Sequence, residues 1–129
     1  MQGTEGDMSW HVGDHGFEMT LSTRVPTLIA QHLRPWLDGV LAQQGLLVSE
    51  INTWAIHAGG PRIVSAVAER LGLPEHATDA SRAVLRDCGN MSSGTSLFIL
   101  KRLHEQGSRP PAVMLAFGPG LAVEAIVLK

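Results

Sequence analysis

One cysteine, Cys88, stands in 129 residues, and there is no tyrosine. A lone thiol excludes a disulfide framework and a cysteine-rich zinc module, and it fits a reducing compartment. Charge is also sparse: Asp, Glu, Lys and Arg make up 17% of the chain, with a net charge of -2. That balance excludes a charged disordered tail and offers no basic face for nucleic acid. No apolar run is long enough to span a membrane. Residues 1–7 are polar and read as a loose tail with no signal-peptide core behind them, so a cytoplasmic location is expected. His11, His15, His32, His76 and His104 show no metal-ligand spacing, and no metal is expected. What is present is a 44% hydrophobic chain of single-domain size, able to bury a core.

The pattern along the chain alternates short strands with helices. Residues 8–12 and 17–21 alternate around Gly13-Asp14-His15-Gly16 and read as a hairpin, with Phe17, Met19 and Leu21 on one face. Residues 23–44 carry an apolar stripe at helical spacing through Leu28, Ile29, Leu33, Trp36, Leu37, Val40 and Leu41. Pro26 suits the first turn of that helix, Pro35 should kink or divide it, and Gly45 should stop it. Residues 53–57 read as a buried strand and 61–71 as a helix. Further helices are expected from Thr78 or Asp79 to Cys88 and from Ser92 or Ser93 to Gln106. Residues 112–117 and 121–128 read as strands close enough to pair antiparallel. Interleaved apolar strands and helices predict an α/β fold, a mixed β-sheet packed with helices.

Three glycine-bearing points follow or join these strands: Gly59-Gly60, Gly89-Asn90 and Gly118-Pro119-Gly120. Glycine lets backbone approach a ligand closely, and ligand sites in open α/β sheets gather at strand ends. Taken alone, His57 reads equally as a satisfied core histidine, and Asn90 as a turn or cap residue. The glycines read equally as plain turns.

The longer stretches are specific. Trp54-Ala55-Ile56-His57-Ala58-Gly59-Gly60-Pro61-Arg62-Ile63 resembles the histidine motif of the type III polyketide synthases, the chalcone and stilbene synthase family. Gly89-Asn90-Met91-Ser92-Ser93-Gly94 resembles that family's asparagine motif, and residues 116–124 resemble its Gly-Pro-Gly loop. The resemblance runs from about Trp10 to the end and is to the C-terminal half of these enzymes. It implies a thiolase-like half, with residues 1–129 forming a single C-terminal domain. The N-terminal half, which bears the nucleophilic cysteine in the family, is not among these residues.

The resemblance also implies roles. His57 would pair with the nucleophilic thiol and hold it as a thiolate. Asn90 would donate, with His57, to the thioester oxygen as malonyl-CoA loses CO2. Ser92, Gly118, Pro119 and Gly120 would shape the elongation cavity, and Phe17 and Met19 would face it. Gly60 and Arg62 would lie along the CoA arm, although an exposed helix-surface arginine reads the same way. Cys88, two residues before Asn90, is expected to be a small buried helix-end residue rather than the nucleophile. Ala58 and Gly94 stand where many members carry proline and alanine, as in bacterial members.

The implied activity is that of an acyltransferase: decarboxylative Claisen condensation of malonyl-CoA onto an acyl-CoA starter. It needs CoA thioesters as substrates and no cofactor. Implied partners are those substrates, the N-terminal half and a second copy in a homodimer, with neither nucleic acid nor membrane. The 129 residues alone are expected to be inactive. Two other readings remain open: the ketoacyl-carrier-protein synthase that initiates fatty-acid synthesis, and a non-catalytic interaction domain. On either half-enzyme reading an exposed apolar face should drive association.

Overall fold

The alternating segments near the start form an antiparallel hairpin, β1 (Met8–Gly13) and β2 (Gly16–Leu21), in a computed structural model describing residues 3–57 and 59–129, the side chain of Phe17 excepted. The register sets Trp10 opposite Met19 and Met8 opposite Leu21. Gly16 takes a φ of 129°, a conformation side chains resist, which closes the turn. The hairpin is a sheet of its own beside the main one.

Residues 3–7 are not the loose tail expected. Thr4 and Asp7 are buried, Thr4 Oγ1 donates to the Gly120 carbonyl at 2.7 Å, and Ser22 N–H donates to the Asp7 carbonyl at 2.9 Å. Met1, Gln2 and Ala58 lie outside the described residues.

Helix α1 (Val25–Ala42) buries Val25, Ile29, Leu33, Leu37 and Leu41, a strict four-residue repeat along one face. Trp36, expected in that stripe, is 38% exposed because it lies one residue off the repeat. Pro35 does not divide the helix. Pro35 and Gln31 are both exposed, so the Gln31 carbonyl that loses its N–H partner can turn to water.

Strand β3 (Thr53–His57) is buried along its whole length. Helix α2 (Pro61–Leu71) begins on Pro61, whose missing N–H costs nothing there, and stops at Gly72 in the left-handed conformation. Helices α3 (Asp79–Cys88) and α4 (Gly94–Glu105) follow, then strands β4 (Ala112–Gly118) and β5 (Ala122–Leu128). No side-chain cap closes α3 or α4, so neither Thr78 or Asp79 nor Ser92 or Ser93, the expected starts of those helices, caps its helix. Cys88 is exposed rather than buried, because α3 ends on it and the chain turns away at Gly89, φ 70°.

The main sheet is mixed and runs in the order β3-β4-β5, with β3 parallel and β5 antiparallel to β4. Three helices separate the parallel pair, as the long crossover between parallel strands requires. Alternate residues then face two layers. Trp54, Ile56, Val113, Leu115 and Phe117 pack with the apolar faces of α1 and α2. On the other face, Ala55 and Met114 pack with Ala80, Val84, Ile99 and Leu103 of α3 and α4. The free side of β3 is sealed in part by Ser81, whose buried Oγ accepts from Ile56 N–H at 3.0 Å. The second face is uncovered over β5, where Ile126 and Leu128 are exposed, as are Leu97 and Phe98 on α4.

Candidate active site

A cavity of about 270 Å³ opens where the C-terminal ends of the parallel strands meet the hairpin. Met19, His57, Asn90, Ser92, Gly118 and Pro119 line it, so six of the sequence-derived site residues converge there. Gly60, Arg62 and Gly120 stand off the wall. Gly59 lines the cavity in place of Gly60, Arg62 is exposed on the first turn of α2, and Gly120 accepts the Thr4 hydroxyl behind the turn. Phe17 lies on β2 opposite Val12, and its side chain is outside the described residues.

His57 reaches the cavity as the last residue of β3 and is 7% exposed. Its Nδ1 is buried with no hydrogen-bond partner among the described residues. Burial pushes its pKa below the ordinary histidine value, favouring the neutral ring.

Asn90 is positioned by its own turn. Gly89 ends α3 with φ 70°, and Asn90 Oδ1 accepts from Ser92 N–H at 2.9 Å, an Asx turn. Ser92 itself sits at φ 58°, and Met91 N–H donates to Thr95 Oγ1 at 2.8 Å, which ties the loop to α4. With Oδ1 engaged, Nδ2 is the donor left for a ligand. Gly59 brings the β3–α2 turn close: a Cβ there would lie 3.4 Å from Met19 Cε and 4.0 Å from Asn90 Nδ2.

Sequence reasoning gave the remaining wall no role in the site, although part of it stands within the quoted motifs. Met8 and Trp10 come from β1, Ala116 and Phe117 from β4, and Ala122 and Glu124 from β5, with Ser93 beside Ser92. The signal that could have found Trp10 and Met8 is the hairpin register, which puts Trp10 opposite Met19. The assembled site is an apolar chamber with an imidazole and a carboxamide N–H donor on one side and a carboxylate on another. Such a chamber can hold an acyl chain and polarise an oxygen within it. Among the described residues no cluster of His, Cys, Asp and Glu could hold a metal ion, and no helix is long and apolar enough to cross a membrane.

Known proteins share this fold. The chain is 35% identical over 129 residues to a 1,3,6,8-tetrahydroxynaphthalene synthase of Streptomyces peucetius subsp. caesius, covering 98% of the chain and 34% of that relative. It is 34% identical over 123 residues to a 3,5-dihydroxyphenylacetyl-CoA synthase of Amycolatopsis orientalis, covering 93% of the chain and 33% of the relative. Among solved structures, PKS-I from the brown alga Ectocarpus siliculosus superposes with a TM-score of 0.90 at 31% identity, over 98% of this chain and 36% of that one. The 1,3,6,8-tetrahydroxynaphthalene synthase of Streptomyces coelicolor A3(2), a bacterial type III polyketide synthase, superposes with a TM-score of 0.88 at 32% identity, over 98% of this chain and 37% of that one. The chain thus spans about a third of these proteins' length, less than the half expected from its motifs, and the match begins before Trp10. The family model for the C-terminal domain of chalcone and stilbene synthases matches residues 1–129, and the chain belongs to that family, the type III polyketide synthases.

Proposed function

We propose that this domain supplies the histidine and asparagine of a decarboxylative condensation site, in an acyltransferase that extends an acyl-CoA starter with malonyl-CoA. The observation that carries the reading is the meeting of His57 and Asn90 on one apolar cavity, with Asn90 Oδ1 already engaged by Ser92 N–H. The relatives' names point the same way: one makes tetrahydroxynaphthalene, another 3,5-dihydroxyphenylacetyl-CoA.

In this reading the acyl chain is carried as a thioester on a cysteine from outside these residues. His57, protonated, stabilises that thiolate when it is free. When malonyl-CoA loses CO2, the electron pair left behind delocalises onto the thioester oxygen. Asn90 Nδ2–H and a His57 N–H donate to that oxygen, and the low dielectric of the apolar wall strengthens both bonds. The carbanion then attacks the acyl thioester, forming the new carbon–carbon bond and releasing the thiolate. Met19, Trp10, Phe117 and the Gly118-Pro119 turn bound the space in which the chain grows. Ser92 belongs to the same wall, and Phe17 sits two register pairs from Met19 along β2. The CoA arm would pass Gly60 and Arg62, outside the cavity. A homodimer is the assembly we infer, with the rest of the enzyme completing the chamber.

The test is condensation by the longer protein that contains this domain, supplied with malonyl-CoA and an acyl-CoA. His57→Ala and Asn90→Asp should each lower kcat by about 10²–10³, with the 129-residue chain alone giving no product. Turnover by the 129-residue chain, or by either variant at the wild-type rate, would falsify the reading.

A further inference from the structure

Glu124 is the one acidic residue on the cavity wall among the described residues, and the steps above leave it unused. The sheet register places it. His57 stands opposite Ala116 on one side of β4, and Glu124 stands opposite the same Ala116 on the other. Opposed residues send their side chains to the same face of a sheet. His57, Ala116 and Glu124 therefore form one row across three strands. The middle position carries only a methyl group, and the outer Cα atoms lie about 10 Å apart, two strand spacings.

Resting on the reading of the site given above, we infer that Glu124 is a positioning residue, whose carboxylate holds a proton on His57 and so favours the imidazolium a thiolate partner needs. Burial alone acts against that state, since it favours the neutral ring. Glu124 is itself exposed, at the rim of the chamber, so water screens its charge in part, and what reaches the ring along the row acts in its favour.

No other charge competes for that place. β4 carries no titratable side chain. On α3, Asp87 is bonded to Arg86 and Arg102, and Arg82 to Thr78 and Ser65. On α4, Lys101 is paired with Glu105, and His104 is exposed. In the hairpin and before it, Glu18 and His11 are exposed and Asp7 lies 4.0 Å from Arg24. Arg62 on α2 and Asp79 at the start of α3 are exposed, as are Glu75 and His76 in the turn before α3. None of these lines the cavity.

The experiment follows the His57 ring by NMR against pH in the 129-residue chain. Glu124→Gln should lower the His57 titration midpoint by about 0.2–0.3 unit, and Glu124→Asp should keep most of the wild-type value. Glu124→Ala carries the same expectation as Gln, so a glutamine variant that fails to fold does not decide the matter. A midpoint unchanged to within about 0.1 unit in every folded variant overturns the inference. The readout needs no turnover, so the two readings fail separately. An unshifted midpoint with an inactive His57→Ala enzyme sinks the role of Glu124 alone. A shifted midpoint with an active His57→Ala enzyme leaves the coupling and sinks the condensation reading.

Discussion

At the scale of single residues, burial of His57 has a consequence for stability. Its folded pKa lies below the ordinary value of 6.5, so the unfolded chain binds the proton more readily. The stabilising contribution is whole above 6.5 and is lost as pH falls through the folded value. Thermal unfolding should therefore show a midpoint that drops on acidification below that pH, and His57→Gln should flatten this part of the curve. Trp10 offers a second expectation. It is 49% exposed and lines the cavity opposite Met19, so Trp10→Ala removes wall without opening a core void. Stability should change by less than about 1 kcal/mol, while the enzyme's product distribution, read by mass spectrometry, should move toward longer chains.

At the scale of elements, two substitutions separate propensity from packing. Ser81→Ala leaves the Ile56 N–H buried without its partner, which should cost about 1–3 kcal/mol in urea unfolding. Pro35→Ala restores an N–H to the interior of α1, and its unfolding midpoint should rise. The comparison between pattern and structure is clearest here. β3 and α2 were readable to the residue, because Pro61 and Gly72 bracket a helix beside an unbroken apolar run. The hairpin was readable because its alternation is local. Burial of Thr4 and Asp7 was not, since the contacts that bury them lie far along the chain. The cavity divides in the same way. His57 and Asn90 announce themselves through motif resemblance, whereas Glu124, though it ends the Gly-Pro-Gly stretch, is put in line with His57 only by the register of three strands, which no local pattern encodes.

At the scale of the whole molecule, the apolar surface is uneven. Leu97 and Phe98 are 64% and 52% exposed on α4, and Ile126 is 50% exposed on the uncovered part of the sheet. Apolar area of this kind drives association. The 129-residue chain should self-associate in light scattering, and Leu97→Lys with Phe98→Lys should shift it toward monomer with little change in unfolding midpoint. A concentration-independent monomer would contradict this. The Thr4–Gly120 hydrogen bond joins residues 116 apart, so it closes a loop that spans most of the chain. Contacts of such sequence separation bear the largest ordering cost and form after the local ones. The rim of the cavity is thus kinetically the youngest part of the fold. Its amides, around Gly118 and Gly120, should exchange hydrogen sooner than those of β3, only a strand away.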